Sequence, residues 1–359
     1  MLALNKSQSF IFYFHHKQAW PEACFVHQVG WQCCWLPAFP VSKFIFALKD
    51  QKPLGKLIAI GGNEDKGTYP NPRTKKKYYL NFFELGILKR VILESGKEDP
   101  QIEVITTASM IPEEVARIYL SSFTMLNCNN VNIMDIRTRE DALQPHYLER
   151  LRRADIVMFS GGNQSRLTEM FGDTEFLAML KQRYYEQPNF IIAGTSAGAV
   201  AMSKTMIKGG SVPDALMKGA VKMGSGLGFL DNVVIDSHFV KRGRFGRLLE
   251  AVALHPKLIG IGLGEDTGVL ITEGNQLEAI GSNLVIIMDG HKLEHNNAAA
   301  AKKGEAISIE NMLLHVLVKG NLYDVTQREF YPDLKLRQQA AESERLTAGK
   351  SANAPAPAG

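Results

Sequence analysis

Between Gly55 and Leu336 the sequence has no net charge. The whole chain carries 41 Lys and Arg against 37 Asp and Glu, a formal +4 over 359 residues. Stretches 1–54 and 337–359 take eight of the basic and four of the acidic residues, leaving 33 of each between them. An even balance supplies no long-range field for a phosphate backbone, so charge-driven nucleic-acid binding is excluded. Cysteine is equally scarce there. Of four cysteines only Cys128 lies beyond residue 34, which excludes an internal disulfide in this body and fits a reducing, cytoplasmic compartment. No Cys/His group has metal-ligand spacing, and no metal or other cofactor is expected.

A membrane anchor is also missing from the pattern. The longest uncharged run, Ala23–Ser42, has 20 residues but is interrupted by His27, Gln28, Gly30, Gln32, Pro37 and Pro40, which argues against a spanning helix. No compact apolar stretch precedes a small-residue cleavage site, as a signal peptide requires. Trp20, Trp31 and Trp35 all lie in this first segment. Residues 1–54 therefore read as an N-terminal extension, poorly structured or contributed by a misassigned start codon. Residues 55–336 read as one domain. The end of the chain, 337–359, is rich in Ala, Ser, Pro and Gly and reads as a disordered tail.

The body alternates short apolar runs with amphipathic ones. Leu57–Ile60, Ile102–Thr106, Val131–Ile136, Asp155–Phe159 and Phe190–Ala193 read as strands. Tyr78–Leu93 carries helical spacing. Pro112 with Glu113 and Glu114 opens a helix whose buried stripe is Val115, Ile118, Tyr119, Met125 and Leu126, and Pro145–Arg153 is another helix. Strands apolar on both faces and separated by helices predict an α/β fold, a mainly parallel sheet with helices on both faces. Val233–Asp236, Leu258–Leu263, Gly268–Thr272 and Leu284–Met288 are expected to complete that sheet with antiparallel additions. Ligands bind such sheets beyond the carboxyl ends of the strands. Three Gly-rich polar loops sit there: Gly61–Asp65, Gly161–Gln164 and Gly194–Gly198.

Gly194-Thr195-Ser196-Ala197-Gly198 has the G-x-S-x-G form of a nucleophile elbow, between an apolar strand and a helix. The sharp turn leaves no room for side chains at the flanking glycines. It projects the Ser196 hydroxyl, with the Ala197 N–H aimed at a developing oxyanion. Of the body histidines, His238 ends the apolar strand Val233–Ser237, which brings it to the Ser196 edge if that strand is parallel. His146 and His255 read as helix-end residues, and His291, His295 and His315 lie in late, irregular polar sequence. The orienting acid is Glu265 or Asp266, adjacent at a strand end and facing opposite ways; spacing does not choose between them. The order serine, histidine, acid differs from the serine, acid, histidine order of α/β-hydrolases. Arg242, Arg244 and Arg247 follow the histidine, the last two on a packed element; they read either as solvated helix charges or as a group suited to forking onto a substrate carboxylate. Gly224–Gly228 has the wrong spacing for a dinucleotide loop, and Arg73 with Lys75–Lys77 reads as a solvated loop.

Gly61–Lys66, Phe159–Gln164, Gly194–Ala199, Asp236–Phe239 with Arg242, Arg244 and Arg247, and Gly264–Thr267 together resemble the cyanophycinases of serine peptidase family S51, alongside aspartyl dipeptidase. The likeness covers about residues 55–290 in the same order. It implies a flavodoxin-like, class I glutamine amidotransferase-like fold, and a homodimer. It also implies an exopeptidase releasing β-Asp-Arg dipeptides from cyanophycin, an arginine-decorated polyaspartate. By that resemblance Ser196 is the nucleophile, His238 the base and Glu265 the acid. Gly162 and Ala197 supply oxyanion N–H groups. Gln164, Asp236, Arg242, Arg244 and Arg247 line the substrate site, with carboxylates receiving the substrate guanidinium and arginines its carboxylate. An aspartyl or isoaspartyl dipeptidase of the same family is the alternative, and a non-catalytic polymer-binding relative a third. The chain departs from the pattern at Ser237, where glutamine is usual, at Asn63, where alanine is common, and in an insertion-like Tyr69–Lys77 segment.

Overall fold

A computed structural model describes residues 51–67 and 80–339. Most of the expected N-terminal extension, the Tyr69–Lys77 segment and nearly all of the expected tail lie outside the described residues.

Strands β1 (Lys56–Ile60), β2 (Ile102–Ile105), β3 (Val131–Met134), β4 (Ile156–Phe159) and β5 (Ile191–Thr195) pair in parallel in the order β1-β5-β4-β2-β3. Strands β1, β2, β4 and β5 are almost wholly buried, as their uninterrupted apolar sequence requires. Each buried Ile or Leu contributes about 1.5–3 kcal/mol of transfer free energy. Helices α1 (Ile87–Glu94), α2 (Pro112–Met125), α3 (Pro145–Arg153), α4 (Gln164–Phe171) and α5 (Glu175–Glu186) connect these strands. Leu88, Val91 and Phe123 belong to one core cluster and Leu151, Leu167 and Leu180 to another, so the sheet is covered on two sides. Asn163 and Thr174 cap α4 and α5 by accepting from the N–H groups of Ser165 and Leu177.

After β5 come a one-turn helix α6 (Ala197–Val200), a hairpin of β6 (Thr205–Gly210) and β7 (Val221–Ser225), then β8 (Val233–Asp236), α7 (Phe245–Leu254) and β9 (Ile259–Leu263). Strands β10 (Thr267–Thr272) and β11 (Gln276–Gly281) extend the main sheet antiparallel from β1. Two further short strands at Leu322–Asp324 and Glu329–Tyr331 bring it to nine.

Two expectations change. The helix expected from Tyr78 begins only at Ile87, because Asn81 organises a turn first: its carbonyl accepts from Glu84, Leu85 and Gly86, its side chain from Phe83. Of the four later strands, only β10 joins the main sheet. Strands β8 and β9 pair with β12 (Val285–Asp289) and an edge strand, Leu313–Leu317, in a separate four-stranded sheet. Gly260 and Gly262 of β9 let this second sheet accept Leu248 and Val252 of α7 and the Phe239 ring, whose atoms a Cβ would meet at 2.6–3.2 Å. Among the described residues no helix is long and apolar enough to cross a membrane.

Candidate active site

Strand β5 ends at Thr195 and α6 starts at Ala197, so the chain reverses over Ser196 alone. Its backbone sits at φ 51°, ψ −108°, a strained position for a residue with a side chain. A Cβ on Gly194 would come within 2.7 Å of the Gly198 backbone, and one on Gly198 within 2.6 Å of the Phe159 carbonyl. Only glycine on both sides permits the turn. Because α6 is a single turn, its dipole is small, and what it offers an anion is its individual N–H groups. The N–H groups of Ala197 and Gly162 have no acceptor among the described residues. The Gly161-Gly162 loop lies beside the serine: a Cβ on Gly161 would stand 3.3 Å from that of Ser196.

His238 reaches this edge from the second sheet. The loop after β8 folds over the end of β1, where its N–H donates to the Gly61 carbonyl at 2.8 Å. Gly62 packs directly on the imidazole; a Cβ there would lie 2.5 Å from Cε1 and Nε2. Nε2 is 3.0 Å from Ser196 Oγ, and Nδ1 is 3.0 Å from Glu265 Oε1. The neighbouring Asp266 turns away, its carboxylate accepting from Ser282 Oγ and the Asp65 N–H. Burial pushes the His238 pKa below its usual value; Glu265 pulls it up, and the charges of Arg242 and Arg244 add to the lowering. The ring is therefore neutral at neutral pH, with Nδ1–H donating to Glu265 and Nε2 open to the serine proton.

The other expected residues divide. Arg242 is exposed and has no acidic partner among the described residues. Asp236 is completely buried rather than open to a ligand. Its two oxygens accept from Arg247 Nε at 2.8 Å, Arg247 Nη2 and Arg244 Nη1 at 2.9 Å. A carboxylate so occupied holds arginines in place; the expectation that it receives a substrate guanidinium does not fit this geometry. Arg247 is itself buried, while the Arg244 side chain is partly exposed, its Nη1 donating to Asp236 and to the Ser237 carbonyl. Gln164 commits its amide nitrogen to the carbonyls of Ile207 and Lys208 at 2.8 and 3.0 Å, tying the Gly161-Gly162 loop to the β6 bulge. Of the other histidines, His291 meets Asp289 at 2.7 Å, His295 meets Ser308 at 2.7 Å, and His146 and His315 lie against the rings of Tyr147 and Tyr323.

Three neighbours escape sequence reasoning. Asn63 donates to Glu265 Oε1 at 2.6 Å, and Asn283 to the Glu265 carbonyl at 2.7 Å. Glu64, fully buried, accepts from Thr195 Oγ1 and Tyr119 OH at 2.6 Å each and from Lys66 at 2.8 Å. Burial alone would raise its pKa, but the Lys66 ammonium and these hydrogen bonds outweigh it and hold the carboxyl at about 2. The sequence hints at them only by position: all three stand in or beside loops at strand ends, and Asn63 departs from the residue common there. Among the described residues no group of three or more His, Cys, Asp or Glu is placed to hold a metal ion.

The sequence profile of peptidase family S51 matches residues 84–279. A cyanophycinase of Synechococcus elongatus is 32% identical over 286 residues, covering 80% of this chain and 83% of the relative. One from Trichormus variabilis is 33% identical over 276 residues, with 77% and 87% covered. The crystal structure of a peptidase from an acI-B1 Actinobacterium shares the fold, with a TM-score of 0.53, 19% identity, and 76% of this chain and 98% of that one covered.

Proposed function

The chain belongs to peptidase family S51 and is a serine-type peptidase, and from that premise we propose that it is an exopeptidase hydrolysing cyanophycin to β-Asp-Arg dipeptides. The observation carrying this reading is the hydrogen-bonded chain from Ser196 Oγ through His238 to Glu265, with both contacts at 3.0 Å.

Ser196 Oγ attacks the scissile carbonyl carbon while its proton passes to His238 Nε2. Glu265 keeps Nδ1–H in place and stabilises the imidazolium. The N–H groups of Gly162 and Ala197 receive the oxyanion. When the C–N bond breaks, His238 returns the proton to the leaving amine, and an acyl ester remains on Ser196. Water then repeats the sequence: His238 takes its proton, the hydroxyl adds to the ester, and Ser196 leaves with the proton back on Oγ.

Arg242 is an exposed cation beside the base and suits a substrate carboxylate. Arg244 assists from its partly open position. Arg247 and Asp236 act beneath them, as the frame that aims Arg244. Gln164 acts through the β6 bulge. The same reading makes the protein a cytoplasmic homodimer, which light scattering and cell fractionation test.

The deciding experiment incubates the protein and its Ser196→Ala variant with insoluble cyanophycin and with free β-Asp-Arg. Clearing of the polymer by the wild type alone supports the proposal. Cleavage of the free dipeptide alone shifts the assignment to a dipeptidase, and equal inertness of both proteins overturns it.

A further inference from the structure

Oε1 of Glu265 is shared. It faces His238 Nδ1 at 3.0 Å and, closer still, the amide nitrogen of Asn63 at 2.6 Å. A carboxylate only accepts, so the amide presents its N–H to it. The backbone explains why an asparagine can do this. Asn63 sits at φ 49°, in the left-handed region that asparagine tolerates better than most residues with a side chain. Its neighbours are fixed from both directions, since the Gly61 carbonyl accepts from the His238 N–H and the Gly62 carbonyl from the Asp266 N–H. The amide is thus delivered by a loop stitched to the same two segments that carry the base and the acid.

We propose that Asn63 is a positioning residue for the base: it holds the Glu265 carboxylate against His238 Nδ1 and, by taking part of the charge on the shared oxygen, limits how strongly that carboxylate stabilises the imidazolium. This rests on reading Ser196 and His238 as a catalytic pair, and deepens it. A hydrogen bond to an ionised acceptor competes for the same electron density, so His238 meets a weaker counter-charge than a carboxylate with a single donor would present.

Other charged groups near the ring come from the segment after it and from the first loop, and Lys241 lines the same cavity as Asn63 and Glu265. Arg242 and Arg244 bear on it from the turn that follows. Glu64 is directed to Thr195, Tyr119 and Lys66, and Asp266 to Ser282 and the Asp65 N–H.

The test is Asn63→Gly, which accepts the left-handed backbone and removes only the amide, read by NMR titration of the His238 imidazole in the full-length protein. The His238 pKa should rise by roughly half to one unit. In a Glu265→Gln background the same substitution should produce no further shift, because the shared acceptor charge is gone. The acid limb of the pH profile of kcat/KM should move up with the titration, and kcat should fall severalfold with little change in KM. An unmoved or lowered His238 titration in Asn63→Gly overturns the proposal, as does an equal shift with and without Glu265. The titration needs no substrate, so failure to clear cyanophycin would count against the proposed activity and leave this inference to be judged by the imidazole alone.

Discussion

Thr195, the residue before the proposed nucleophile, donates its hydroxyl to the buried carboxylate of Glu64 at 2.6 Å. The strained turn is thereby backed by an ion buried on its inner side, paired with Lys66 at 2.8 Å. A carboxyl held at about 2 when folded, against 4.5 for the free group, stabilises the native state wherever it is ionised. That contribution is complete above the unfolded pKa and is lost as pH falls from about 4.5 through 2. It amounts to about 3 kcal/mol. Chemical denaturation from pH 7 down to pH 2 should show this loss in the wild type and a flatter acid limb in Glu64→Gln. That variant should already be less stable at pH 7.

His238 is held below its usual pKa, so the neutral, proton-accepting ring persists to more acidic pH than a free histidine allows. Activity should climb with pH along a limb lying below 6.5 and be level at neutral pH. Arg242→Gln takes away one repelling charge and should move that limb upward. A pH series of kcat/KM checks it; a limb shifted downward would contradict the charge argument.

Asp236→Asn and Arg242→Ala should fail in different ways. The first leaves Arg244 and Arg247 without their buried counter-ion and should cost about 3–5 kcal/mol, lowering Tm together with activity. The second touches an exposed side chain with no acidic partner among the described residues, so Tm should stay put while KM for the polymer rises. Thermal melts beside steady-state kinetics separate the two.

Gly62→Ala tests how closely the proposed base is housed. The new methyl group would lie 2.5 Å from the imidazole, at a backbone φ of 98°. The ring must move, and displacement of a catalytic group by about an ångström costs on the order of a hundredfold in rate. Turnover should collapse while the far-ultraviolet circular dichroism remains that of the folded protein.

Much of this was legible in the residues. The five parallel strands are short apolar runs ending in polar glycine loops, and Ser196, His238 and Glu265 each follow such a run. What stayed hidden depends on long-range pairing. Val233–Asp236, Leu258–Leu263 and Leu284–Met288 look like any buried strand, and nothing in their periodicity says that they pair with one another and with Leu313–Leu317. Helical spacing before Ile87 is cancelled by one asparagine turn. Asp236 shows the same limit at the site. An acid beside three arginines reads equally as a ligand for substrate or as their anchor, and only its complete burial decides.

The proposed catalytic groups are divided between two sheets: Ser196 at the end of a strand in the nine-stranded sheet, His238 following a strand of the four-stranded one, and Glu265 on the link from β9 to β10 that crosses between them. Neither sheet carries a working set on its own. Activity therefore depends on how the two sheets are held against each other, through the core that Leu57 and Ile192 of one share with Ile235 and Ile261 of the other.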